Sequence, residues 1–459
     1  MGMDCSDRSD HGQKRWRLNR EIWGWALYDW ANSAFAVSVL AVTFQMYFIH
    51  VLATSGRDAS GELIKAVQLF GVTLPSGTLW AWSVAISMIV VVVISPVIGA
   101  VADYGSKKKR FLLFFCYTGA TATMLMVSLG VGMWQLGMLL FVVSNICFVG
   151  GNVVYNGLLT DVARNEREVG FVSAFGWGLG YAASFLVLLA SFALIHFEYP
   201  SQEWAVRLSL LGVGIWWALF AVPTFLWVRE RPTVRAGSNQ VNLLTAGFSQ
   251  LGRTLRTLPR HSQMLLFMGA FFLYNDGIQT IISQAGNFAS LAFGADLGQV
   301  MPAFLMIQFV AFIGSLTFIR IERSVGTKRS LLAALTVWIL LIAWALVMKT
   351  LAEFYLLAFF GGFVLGVSQS ASRTLYTWMI PKGRSAEFFS LYAIVGKVAS
   401  LVGPVLFGFG VLLAGRLAGN PILNATAAAV FPLLLMVLIG TLLLLRVDVE
   451  KGKRESGKG

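Results

Sequence analysis

Two short strings hold the residue types best suited to chemistry. Leu27-Tyr28-Asp29-x-x-Asn32-Ser33 and Leu273-Tyr274-Asn275-Asp276-x-x-Gln279-Thr280 share one order: an aspartate, an amide three residues on, a hydroxyl four residues on. On a helix those spacings put all three groups on one face. Such a face can take a proton, or hold the polar end of a small solute. Asp29, Asn32, Ser33, Asp276, Gln279 and Thr280 are therefore candidate substrate- or proton-coupling residues, with Ser283 one turn further along. The competing reading is that each aspartate only locks helices together through hydrogen bonds.

Three further groups join them. Lys397 is the one basic residue deep in an apolar stretch, and Asp276 in the same half of the chain is its natural counter-ion; the competing reading is a lysine that snorkels to the cytoplasmic interface. Arg373 lies on one helical face with Gln369, and a guanidinium can hold a carboxylate through two parallel hydrogen bonds. An interface anchor would look the same. Asn156, in Tyr155-Asn156-x-x-x-x-Asp161, completes the candidates. A second set suits a latch between helix ends. Gly99-x-x-x-Asp103 runs into Lys107 and its basic neighbours, and Glu322-Arg323 precedes Gly326 and Lys328 at a matching place later on. Glycine permits close helix approach, and the acid can cap or pair at a helix end.

Other chemistries lack their residues. There is no P-loop, HExxH, GxSxG or potassium-filter string, and three cysteines and four histidines give neither a disulfide framework nor a metal set. No enzyme, resident metal or cofactor is expected.

The elements that must position these groups follow from composition. The 459 residues are 57% hydrophobic and 12% charged, with mean hydropathy +0.72, whereas a soluble domain carries about 25% charged residues. The apolar residues come in blocks of about 20, long enough to cross ~30 Å of hydrocarbon as helices. The ten-residue alternation of a membrane barrel is missing. The expected fold is an all-α polytopic membrane protein with spans near 23–52, 79–102, 111–131, 134–158, 169–196, 206–228, 264–286, 298–319, 330–348, 353–376, 386–413 and 425–446. The polar residues before the first span do not form a signal peptide. The 15 tryptophans and 35 phenylalanines are expected mostly at the lipid-facing surface and interfacial belts.

Of the 35 lysines and arginines, 29 fall toward the N-tail side of these spans. The positive-inside rule then makes both termini cytoplasmic and explains the net charge of +13 without a nucleic-acid partner. The division is a tail (1–22), a six-helix bundle (23–228), a linker (229–263), a second bundle (264–446) and a tail (447–459). The linker has six arginines, and Val241–Leu258 suits a short interfacial helix. The aspartate strings, the acidic loops at Asp103 and Glu322, and Phe171-x-Ser173 with Phe388-x-Ser390 recur in the same order in both bundles. Two such repeats in one orientation are the architecture of major facilitator transporters.

The string Tyr28-Asp29-Trp30-Ala31-Asn32-Ser33-Ala34-Phe35 resembles the vacuolar-effluxer-like (autophagy-related) branch of the major facilitator superfamily. Tyr274-Asn275-Asp276-Gly277-x-Gln279-Thr280, Gln369-Ser-Ala-Ser372-Arg373, Pro381-Lys382-Gly383, Glu387-Phe388-Phe389 and Lys397 before Gly403-Pro404 extend the resemblance over 23–446. It implies a twelve-helix alternating-access transporter, with fungal members associated with amino-acid efflux from the vacuole. Tyr104 and Ser106 stand where the superfamily often has arginines, and Glu322 precedes Gly326 with one extra residue. The expectation is a monomeric, proton-coupled secondary transporter of a small organic solute, in the inner membrane of a bacterium or the vacuolar membrane of a fungus. A transporter-like ligand sensor is the alternative, and the short tails disfavour it. A channel would not need paired acidic half-sites.

Overall fold

A computed structural model describes residues 19–56, 64, 66–69, 71–104, 107–163, 165–199, 201–231, 252, 256–295, 297–417 and 421–457. Helix α1 (Arg20–Phe35) starts at Asn19, whose Oδ1 accepts the Ile22 amide at 2.8 Å and so satisfies one orphan donor of the first turn. The expected first span, 23–52, lies within one candidate span, Arg20–Leu52, but its helix changes register along the way. π-helical segments at Ala36–Ala41 and Phe48–Leu52 flank the short α2 (Thr43–Tyr47), with a kink at Val42. The β-branched Val37, Val39 and Val42 crowd an α-helix at χ1, which suits a change of helical register there. Outside the spans, β1 (Ala66–Leu69) and β2 (Val72–Pro75) pair as a hairpin whose turn uses Gly71 at φ +81°.

The remaining long helices of this half are α3 (Ser76–Tyr104), α4 (Lys108–Leu125), α5 (Trp134–Val162), α6 (Glu166–His196) and α7 (Gln202–Phe220), followed by the short α8 (Val222–Trp227). The other half contains α9 (Ser262–Phe293), α10 (Leu297–Val325), α11 (Thr327–Ala345), α12 (Leu351–Met379), α13 (Ser385–Leu417) and α14 (Pro421–Arg446). Among the described residues eleven helices are long and apolar enough to cross a membrane. The expected span 79–102 lies in α3, where Trp82–Ser95 is the described apolar stretch. Most of the expected linker helix lies outside the described residues. The expected C-tail is partly ordered as α15 (Val449–Glu455), capped by Asp448.

The outside of the bundle is apolar, with Ile89, Leu340 and Phe409 about two-thirds exposed, as lipid-facing side chains should be. The aromatics are not mostly there. Trp25, Trp217, Trp338 and Phe35, Phe44, Phe48, Phe141 and Phe267 are among the largest fully buried side chains. Without a hydrophobic force between helices in lipid, dispersion contacts must hold the bundle, and large flat rings supply many.

Both described chain ends lie at one end of the bundle, called here the terminal end. The ion pair Glu21–Arg229 (4.0 Å) sits beside the start of α1. Helix α15 clasps the other half at the same end. Glu455 accepts from the Ser262 hydroxyl (2.8 Å) and the Gln263 amide (3.1 Å), Gln263 Oε1 accepts from the Asp448 amide, and Lys453 lies 4.7 Å over the Trp378 ring. The halves meet along α13, which rests on α3 and α5, and along α6, which rests on α10 and α12. At the terminal end this seam is tight enough to require glycine. A Cβ at Gly99 would lie 2.6 Å from the Ala386 carbonyl oxygen, and one at Gly157 would lie 2.8 Å from Ala386 Cβ.

Candidate functional site

Arg373, two turns from the end of α12, reaches out of its own half into a box built wholly by the other. Its Nη1 donates to Asp29 Oδ2 (3.2 Å) on α1 and to Asn156 Oδ1 (3.4 Å) on α5. Its Nε donates to Ser173 Oγ (2.9 Å), and its Nη2 to the Ser173 carbonyl (2.5 Å), on α6. The guanidinium carbon lies 5.0 Å from the Trp25 ring centre and 5.1 Å from that of Trp177. Cation–π attraction of this kind strengthens where water is excluded, and the Arg373 side chain is 4% exposed. The walls are held in turn. Trp25 Nε1 donates to the Tyr155 carbonyl and its ring stacks on Tyr155 at 4.4 Å, while Trp177 stacks on Tyr181. Gly176 completes the box, because a Cβ there would lie 2.6 Å from Asp29 Oδ2 and 2.7 Å from the Trp25 ring. Ser173 Oγ also donates to the Ser370 carbonyl, tying α6 to α12 a second time.

Closer to the terminal end lies a second polar layer. Lys108 Nζ, nearly buried, donates to Asp161 Oδ2 (3.1 Å), Ser385 Oγ (3.1 Å) and the Gly157 carbonyl (3.4 Å). Ser385 Oγ donates to the same carbonyl at 2.8 Å. This joins α4, α5 and α13, so it crosses the seam. Of the expected latch residues, Gly99 packs on α13, and Glu322 presses on Gly170 of α6 while accepting from the Thr327 hydroxyl. Lys107, by contrast, is exposed, and its neighbour Lys108 makes the inter-half contact. The helix starts at Lys108, which turns that side chain inward and leaves Lys107 outside as the flanking residue. Lys328 spans no seam: its Nζ donates to the Leu445 and Val447 carbonyls at the end of α14. Arg323 follows Glu322 in the last turn of α10. The Asp103 side chain lies outside the described residues.

Asp276 is fully buried in α9. Its Oδ1 accepts the Gly403 amide (3.1 Å) and the Thr280 hydroxyl (3.4 Å), and its Oδ2 is buried with no hydrogen-bond partner. The expected ion pair with Lys397 does not form. Lys397 is half-buried on α13 and makes no ion pair or hydrogen bond among the described residues. A backbone amide takes the place of the ammonium. Gly403 has no side chain to hold α9 off, and its Cβ would collide with the Thr280 hydroxyl. Pro404 also interrupts the helical ladder beside it. Gln279 is half-buried on the same helix.

In the first half, Asn32 Nδ2 donates to Asn152 Oδ1 at 2.8 Å, and the Ser33 carbonyl accepts from Ser184 Oγ. The structure thus unites Asp29, Asn156 and Arg373 at one place and Asp276 with Thr280 at another. The sequence reading missed Trp25, Asn152, Asp161 as a partner, Ser173, Trp177, Lys108 and Ser385. The strings around Asp29 and Ser173 held some of these, but an aromatic beside a carboxylate reads as core until the guanidinium is placed between the rings.

A family described as vacuole effluxer Atg22-like matches residues 17–457. An uncharacterized MFS-type transporter of Bacillus subtilis (strain 168), YxiO, is 31% identical over 444 residues, covering 95% of this chain and 96% of its own length. Autophagy-related protein 22 of Eremothecium gossypii is 28% identical, with 85% of each chain covered. Among solved structures, a bacterial homologue of the iron transporter ferroportin in its outward-facing state shares the fold at TM-score 0.64 and 12% identity, covering 93% of this chain and 98% of its own. The major facilitator transporter FucP, in its outward conformation, does so at TM-score 0.64 and 13% identity, covering 93% and 99%.

Proposed function

The chain belongs to the vacuole effluxer Atg22-like family of major facilitator transporters, and from that premise we propose that it carries a small organic solute, amino acids among the candidates, by proton-coupled alternating access in the direction of efflux. The observation that carries the reading is Arg373 of one half seated in a box of the other. A contact of this kind holds the halves together only while the terminal end is closed, and opening that end must withdraw the guanidinium. With the termini cytoplasmic, this arrangement is the state closed to the cytoplasm.

Proton coupling is assigned to Asp276. One carboxylate oxygen is held by Gly403 and Thr280, and the other is buried and unpartnered, which leaves an atom for the proton. The test uses purified protein in liposomes. Counterflow of labelled amino acids, sugars and nucleosides should reveal at least one exchanged solute. Asp276→Asn should keep that counterflow but lose uptake driven by a pH gradient. Binding without exchange of any solute would replace the transport reading with that of a sensor. Full pH-driven uptake in Asp276→Asn would remove the coupling role.

A further inference from the structure

We propose that the box Arg373 fills is itself a solute site, taking an ammonium or guanidinium group when the halves part at the terminal end. The proposal rests on the alternating-access reading. Every wall belongs to one half: Trp25 and Asp29 on α1, Asn156 on α5, Ser173 and Trp177 on α6. The occupant alone belongs to the other half, on α12. Withdrawal of α12 therefore leaves the walls standing together.

What remains is chemically one-sided. The four atoms that face the guanidinium are acceptors: Asp29 Oδ2, Asn156 Oδ1, Ser173 Oγ and the Ser173 carbonyl. Two indole faces close the sides at about 5 Å from the guanidinium carbon, the range in which ring quadrupoles attract cations. A buried carboxylate without a counter-ion is strongly unfavourable, so the opened box selects a solute that brings positive charge and hydrogen-bond donors. An anion meets Asp29 and is repelled, and a neutral isostere leaves that charge uncompensated. Arg373 is thus a tethered stand-in for the cationic end of the solute. A solute that replaces it stabilises the opened state, which couples solute entry to the movement of the halves.

The experiment uses the full chain and methylguanidinium as the probe, with methylurea as its neutral isostere. In Arg373→Ala the box is emptied, and methylguanidinium at tens of millimolar should raise the apparent Tm by several degrees while methylurea does not. Adding Asp29→Asn should weaken the effect at least tenfold in concentration. In the otherwise unaltered chain, methylguanidinium should speed maleimide labelling of a cysteine placed at the seam (Ser385→Cys) several-fold, and Asp29→Asn should abolish the acceleration. If Arg373→Ala does not fold, this second arm decides. Equal responses to methylurea and methylguanidinium, or no acceleration of seam labelling, overturn the proposal. Counterflow measured on the same preparation separates the two readings, since transport survives wherever exchange persists without a cation response.

Discussion

Replacing Gly157 by alanine should pry the halves apart without weakening either. The added methyl would lie 2.8 Å from Ala386 Cβ and 2.9 Å from its Cα, against 3.4–4 Å for ordinary contact, so the seam must give by about 0.6 Å. Neither side can yield locally, because α5 is packed against α3 and α4 and the first turn of α13 also rests on α3 at Gly99. Overpacking of this size costs about 1–3 kcal/mol. The cost exists only while the terminal end is closed, so it shifts the closed–open equilibrium about 5- to 150-fold toward open. Labelling of Ser385→Cys by a maleimide reads that population, since Ser385 is buried in the closed seam. Its rate should rise by the same factor while the open form is minor. Gly119→Ala serves as the control. Its methyl would lie 2.6 Å from the Trp217 ring, within one half, so it should lower Tm and leave the labelling rate alone. An unchanged rate in Gly157→Ala, or a rise of the same size in Gly119→Ala, would refute the reasoning.

The Asp29–Arg373 pair, 3.2 Å apart, has a gross attraction of about 5 kcal/mol at an effective dielectric constant of about 20. Arg373→Met should therefore destabilise by about 3–5 kcal/mol, Asp29→Asn by less because three acceptors remain, and the double variant by less than the sum; strict additivity in thermal unfolding would exclude the coupling. His261, outside the spans, is pushed below its ordinary pKa by burial and by Arg384, against the opposing pull of Glu455. The unfolded chain then binds the proton first as pH falls below about 6.5, so Tm should drop on mild acidification, and His261→Gln should flatten that slope. Reporters fused after Gly459 and inserted within 53–78 should lie on opposite sides of the membrane; finding both on one side would break the topology proposed from the basic residues.

The fold was legible because its causes are local. Apolar block length sets the helices, and the repeated aspartate strings mark two similar sets of them. The site was only half legible. Asp29, Asn156 and Arg373 were each visible as polar groups at odds with an apolar setting, but a contact 344 residues apart in sequence leaves no spacing signal. The pairing of Asp276 with Lys397 failed for a different reason. Two lone charges in one half suggest each other, yet a backbone amide can answer a carboxylate as well, and only Gly403-Pro404 hints that one is available. The change of helical register in the first span was hidden because π-helical turns have the same composition as α-helical ones. Lys107, expected in the latch, and Lys108, which makes the contact, differ by one residue of helical phase, which an uncertain helix start cannot resolve.

The clasp of Glu455 on Ser262 also sets a timetable. These residues are 193 positions apart, and at about 5–20 residues per second of synthesis the first turn of α9 waits about 10–40 s for its partner. The first half waits as long for its own closure, since the Thr224 hydroxyl on α8 reaches back 200 positions to the Gly24 carbonyl on α1. Its closing partner is nonetheless made before α9 begins, so the first half can close on itself while the second is still unfinished at its base. The last helix described, α15, is the one that completes it.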